Sequence, residues 1–146
     1  MNISFSATFL SFLHHLKKDG PLTDEAWGVM KTHAVAGERI LGNKPFYQTA
    51  RQIARSHHER WDGSGYPGGL KGAAIPLAAR IVTVADVFDA LTHARPYKKP
   101  WSIEASLTEM ERLSGKHFDP EILEVFLKMQ GKRGYQEIGN RPSRGV

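Results

Sequence analysis

The chain has 146 residues, enough for one domain with a single core, and 40% of them are apolar, which excludes a disordered polymer. It carries no cysteine, so a disulfide framework and a thiolate metal site are both excluded, and any metal must sit on His, Asp or Glu. The formal charge of +5 suits an anionic ligand, but the basic residues form no long stripe, so neither DNA nor RNA is the expected partner.

Taken in chain order, the periodicity predicts helices almost throughout. Residues 5 to 16 place Phe5, Phe9, Leu10, Phe12, Leu13 and Leu16 on one helical face. No charged segment precedes this apolar run, and it is too short to span a bilayer. Neither a secretory signal nor a membrane anchor is expected, and the chain reads as cytoplasmic. Asp19-Gly20-Pro21 breaks the pattern. Thr23 then fits an N-cap, with Asp24 and Glu25 complementing the dipole of a helix that runs to Leu41 and ends at Gly42.

Another helix is expected after Pro45, with Tyr47, Ala50, Ile53 and Ala54 facing inward. Residues 60 to 76 form a long Gly/Pro-rich loop, and loops of that length in a domain this small are more often functional than idle. The β-branched run Ile81-Val82-Thr83-Val84 would suit a strand, but Leu77, Ile81, Val84, Ala85, Phe88 and Leu91 favour a buried helix. Ser102 starts a helix to Leu113. Asp119-Pro120 opens the last one, which Gly131 closes. The tail from Lys132 to Val146 is basic and reads as flexible. The fold class is therefore all-α, a bundle of five to six helices with one long loop.

The chemistry concentrates in HHERWDGSGYPGG, residues 57 to 69. Neighbours on a helix point about 100° apart, so His57 and His58 either converge on one ion where the helix ends or each serve a different ion of a cluster. Each candidate has an ordinary reading when taken alone. His33 would be a helix histidine, His57 and His58 surface or capping groups, and the glycines a turn. Asp86 lies within an apolar helical run, where a carboxylate needs a partner such as an arginine, a backbone amide or a metal.

The combination is more specific than its parts. LKKDGPLTDEAW, MKTH, HHERWDGSGYP, GLKG, IP, ARIV, ADVFDALT, RPYKK and HFDP, in that order over about residues 16 to 127, resemble the HD-GYP family of metal-dependent phosphohydrolases that cleave cyclic di-GMP. The resemblance implies an all-α bundle of the HD-domain type. It implies His33, His57, His58 and Asp86 as metal ligands, with iron the expected metal and manganese or another divalent ion the alternative. It implies Tyr66 in the loop lining the substrate pocket, and Arg95 and Lys98 as phosphate contacts, a reading the planar guanidinium fork and the lysine point charge support. Water activated by the metal, rather than a separate side chain, would do the chemistry.

The family's His-Asp pair is not found where the resemblance places it. Ser4-Phe5 stand at that distance before Gly20, unless His14-His15 is an altered pair in a shifted register. The expectation is a divergent segment over residues 1–15, a partial HD-GYP domain over 16–131 and a flexible tail over 132–146. Two functions compete. One is a cyclic di-GMP phosphodiesterase module, hydrolysing its substrate to the linear dinucleotide or GMP. The other is a degenerate module that binds cyclic di-GMP or docks a partner such as a diguanylate cyclase (GGDEF) domain. A homodimer is also compatible with this reading.

Overall fold

A computed structural model describes residues 23–94 and 99–131. The expected helix over 5–16, the boundary near residue 15, the tail from Lys132, and both Arg95 and Lys98 lie outside the described residues. Among those residues there are five α-helices and no strand, in agreement with the all-α expectation.

Helix α1 (Asp24–Leu41) begins where the Thr23 hydroxyl accepts the Ala26 amide at 3.3 Å. It ends at Gly42, whose φ of 63° a side chain would disfavour. A single 3₁₀ turn (Pro45–Tyr47) leads into α2 (Gln48–Ser56). That turn delays the helix start, so the expected inward face is out of phase at its beginning. Tyr47 and Ala50 are exposed, whereas Ile53 and Ala54 are half-buried. Ala34 is fully buried, and a Cβ on Gly37 would already meet the Ala54 methyl at 3.4 Å, so small residues let α1 and α2 pack closely. Glu38 ties the pair from outside, accepting from Arg55 at 2.6 Å and Arg51 at 3.4 Å.

After the loop and a short turn at Gly72–Ala74 comes α3 (Leu77–Thr92), which includes the β-branched run. Helix α4 (Ile103–Arg112) is capped by Ser102, which accepts from the Ala105 amide. Helix α5 (Pro120–Gln130) is capped by Asp119, which accepts from the Glu121 amide. The core lies where these three helices meet. Val84, Met110, Phe118 and Leu123 are buried together, with Phe88, Leu91 and Phe126 packed against them. Each large side chain removed from water there contributes about 1.5–3 kcal/mol. The α3 pattern is only half satisfied, because Leu77, Ile81 and Ala85 are exposed.

Three sets of polar contacts fix the end of α2 and the loop against this core. The buried Thr83 hydroxyl on α3 lies 2.9 Å from the carbonyls of His57 and Ala79, positioned to donate to either. Arg80 pairs with buried Asp119 at 2.6 Å, donates to the Ile75 carbonyl, and lays its guanidinium 5.7 Å from the Trp61 ring centroid. The backbone amides of Trp61 and Asp62 donate to the carbonyls of His117 and Lys116, so the loop is laced to the segment between α4 and α5. Thr83→Val keeps the shape and removes the donor. It is expected to lower stability by about 1–2 kcal/mol, read as a lower thermal midpoint, and to weaken metal binding by loosening His57.

Candidate metal centre

Helix α1 carries His33 on its inner side, and α2 delivers His57 as its C-cap residue. The chain leaves the helix immediately afterwards, which lets the adjacent His58 turn toward the same point. The His57 and His58 ring centroids stand only 4.0 Å apart. This is the convergence that an unbroken helix would forbid. His33 Nε2 lies 3.3 Å from His57 Nε2 and 3.0 Å from His58 Nε2.

The outer nitrogens define what the inner ones can do. His33 Nδ1 donates to the Met30 carbonyl, and His57 Nδ1 donates to the carbonyls of Ile53 and Ala54 at 3.0 Å each. With the proton on Nδ1, each Nε2 presents a lone pair, and the two lone pairs face each other. A cation between them removes that repulsion. The two spacings from His33 fit, since an ion about 2.0–2.1 Å from each imidazole nitrogen sets neighbouring nitrogens about 3.0–3.4 Å apart. Backbone carbonyls orienting the far side of each ring are the usual support for metal-bound histidine. His33, His57 and His58 thus fit a divalent metal as a neutral nitrogen donor set.

Burial, reinforced by His57, His33 and His117, holds His58 down at a pKa of about 4. The folded protein therefore binds this proton more weakly than the unfolded chain does. Between pH 6.5 and 4 the unfolded state takes up more protons, so the His58 contribution is intact above pH 6.5 and lost as pH falls toward 4. Metal-free protein is expected to show a thermal midpoint that declines across that window. An increase on acidification would contradict the assignment.

Tyr66 reaches the same point from the loop. Its ring stacks on His58 with centroids 4.8 Å apart, its amide donates to the His58 carbonyl, and His33 lies 6.5 Å away. Burial raises the Tyr66 pKa, so its hydroxyl stays a donor at neutral pH. The loop holds this pose through Glu59, a 2%-exposed carboxylate that accepts the amides of Gly68 at 2.7 Å and Leu70 at 3.0 Å. Glu59 is not legible from the sequence. Its only sequence signal was a charged residue next to two histidines.

Lys31 is not legible either, because two residues along a helix normally point to opposite sides. Its long stem nonetheless brings the ammonium 5.6 Å from the Tyr66 ring centroid. Asp86 is not brought to the group. It sits exposed on α3, and among the described residues no carboxylate joins the three histidines. No described helix is long and apolar enough to cross a membrane.

The sequence pattern of the HD domain matches residues 2–122. A cyclic di-GMP phosphodiesterase of Thermotoga maritima is 51% identical over 117 residues, which cover 79% of this chain and 32% of that protein. The cyclic di-GMP phosphodiesterase response regulator RpfG of Xanthomonas campestris is 50% identical over 115 residues, covering 77% of this chain and 30% of the relative. Among solved structures, a cyclic GMP-AMP specific phosphodiesterase of Vibrio cholerae superposes with a TM-score of 0.57 at 25% identity, covering 92% of this chain and 38% of that one. The chain spans about a third of the length of the curated relatives it matches. With its helices, its histidine cluster and a match over residues 2–122, the chain belongs to the HD-domain family.

Proposed function

We propose that this chain is a cyclic di-GMP phosphodiesterase module of the HD-GYP type. The observation that carries the reading is the convergence of three imidazoles, one of which, His58, carries the Tyr66 ring stacked on it. His33, His57 and His58 would hold the ion, with iron the first choice and manganese an alternative, and Arg95 and Lys98 keep the phosphate-contact roles implied by the resemblance. A divalent ion bound there would supply charge for a phosphate oxygen and lower the pKa of an attacking water. The chain's own residues do the rest. The Met30, Ile53 and Ala54 carbonyls fix the ring tautomers, burial keeps His58 neutral and ready to ligate, and Tyr66 offers a hydroxyl donor and an aromatic face.

The relatives named for cyclic di-GMP, at 51% and 50% identity, support that substrate over cyclic GMP-AMP, although both ligands present two phosphodiesters and a guanine. A second reading is favoured by the all-nitrogen donor set. With no carboxylate in the described group, the module would bind the dinucleotide, or dock a diguanylate cyclase domain, without cleaving it. The setting is expected to be cytoplasmic, where these nucleotides are made.

Incubation of the purified chain with iron(II) or manganese(II) and either cyclic dinucleotide, with products resolved by chromatography, separates the readings. Metal-dependent appearance of the linear dinucleotide or GMP is the expected result. Metal and ligand bound with no product would transfer the assignment to the binding reading, and neither bound would end both.

A further inference from the structure

We infer that Glu59 is a positioning residue which couples occupancy of the histidine group to order in the loop that presents Tyr66, so that the ion and the loop strengthen one another. The inference rests on the metal reading above and adds a residue and a linkage which that reading does not assign.

Three observations lead to it. First, Glu59 directly follows His58, so the segment that carries a candidate ligand also carries the carboxylate. Second, that carboxylate faces the loop rather than solvent. Glu59 is 2% exposed, and its two oxygens accept the Gly68 amide at 2.7 Å and the Leu70 amide at 3.0 Å. Breaking such contacts would leave a buried charge without its donors, which is costly. Third, the loop returns to the same segment at a further point. The Tyr66 amide donates to the His58 carbonyl at 3.2 Å, and the Tyr66 ring stacks on the His58 imidazole with centroids 4.8 Å apart. His58, Glu59, Tyr66, Gly68 and Leu70 thus form a closed ring of contacts with the His58 imidazole as a member.

A carboxylate suits this task better than an amide would. An ionised carboxylate only accepts, and both of its oxygens meet N–H donors here. A glutamine would set its NH2 group against one of those donors and keep a single bond. Gly68 completes the fit, since a Cβ on it would stand 3.1 Å from Glu59 Oε1. An ion on His58 immobilises that ring and its backbone, and the ordering passes through the next residue to Gly68 and Leu70. Coupling of this kind is reciprocal: a loop held by Glu59 tightens the ion by the factor by which the ion orders the loop. For the reaction, the consequence is that Tyr66 is held most firmly when the metal is bound.

The test uses the purified chain and manganese(II) alone, as wild type, Glu59→Gln, Gly68→Ala and Leu123→Val. Calorimetry gives the manganese affinity, and hydrogen exchange read by mass spectrometry follows the amides of residues 61 to 70 with and without the ion. In the wild type, manganese is expected to slow exchange there about tenfold, an ordinary strength for coupled sites. Glu59→Gln and Gly68→Ala disturb the same contact from its two ends. Both are expected to exchange fast in this loop with or without the ion, and to bind manganese about tenfold more weakly, the low end for loss of an outer partner of a metal ligand. Leu123→Val, a change in the buried core, lowers the thermal midpoint but keeps the metal-dependent protection, which separates coupling from general loss of stability. Manganese bound by the wild type without slower loop exchange would overturn the inference and leave the metal reading standing. Metal-dependent protection kept in Glu59→Gln, or in Gly68→Ala if the glutamine variant does not fold, would do the same. No manganese bound by the wild type would overturn both.

Discussion

Gly65→Ala is expected to destabilise the protein by about 2–4 kcal/mol and to disorganise the loop that presents Tyr66. The cause is backbone against backbone. A Cβ on Gly65 would stand 2.3 Å from the Arg60 nitrogen, 2.5 Å from the Glu59 Cα and 2.6 Å from the Glu59 carbonyl carbon. None of these atoms can swing aside as the end of a side chain can. Relief requires the loop to lift off residues 59 and 60, which breaks the hydrogen bonds that the Gly68 and Leu70 amides donate to Glu59 and the one that the Tyr66 amide donates to the His58 carbonyl. Gly28→Ala is the matched control. Among the described residues a Cβ there on α1 meets nothing within 4 Å, and alanine is the better helix former, so it is expected to stabilise by up to about 1 kcal/mol. Thermal unfolding of the two variants reads both signs. Equal midpoints would contradict the close approach at Gly65.

The second large effect falls on metal affinity. Replacing His33, His57 or His58 singly by alanine is expected to reduce manganese(II) affinity well beyond the roughly 100-fold that follows loss of an outer hydrogen bond to a metal ligand. Each substitution removes one of the three nitrogen donors of the described group. The fold should survive. His33, His57 and His58 are only half-buried, and the core of Val84, Met110, Phe118 and Leu123 lies elsewhere. Calorimetric titration against each variant, with the thermal midpoint measured alongside, separates lost ligation from lost structure. Retained affinity in any one variant would remove that histidine from the site.

What could be read from the sequence was mostly local. Thr23, Gly42, Ser102 and Asp119-Pro120 act through atoms within four residues, so caps and helix limits follow from residue type and order. The helical choice for Ile81–Val84 followed from period and length, and the packing of Val84 into the core agrees with it. Phase was harder. The turn at Pro45–Tyr47 shifts the start of α2, and Tyr47 and Ala50 end up exposed. Asp86 reads as a carboxylate within an apolar stretch because Leu77, Ile81 and Ala85 belong to the apolar pattern of α3. They share its exposure.

At the site, His33, His57, His58 and Tyr66 were all legible through their motifs, and the structure brings them together. The supporting residues were not. Thr83 acts on a carbonyl 26 residues away, Glu59 on amides nine and eleven residues away, and Lys31 on a ring from another element. Such roles depend on tertiary contacts that no local pattern encodes.

The central claim is that His33, His57 and His58 hold one divalent ion through their Nε2 atoms. Its most direct test is X-ray diffraction from manganese-soaked crystals, recorded on both sides of the manganese absorption edge. The account predicts an anomalous peak bonded to all three Nε2 nitrogens, with the Nδ1 contacts to Met30, Ile53 and Ala54 intact. A fully soaked crystal with no peak among the three rings, or with manganese bound only elsewhere, would contradict it.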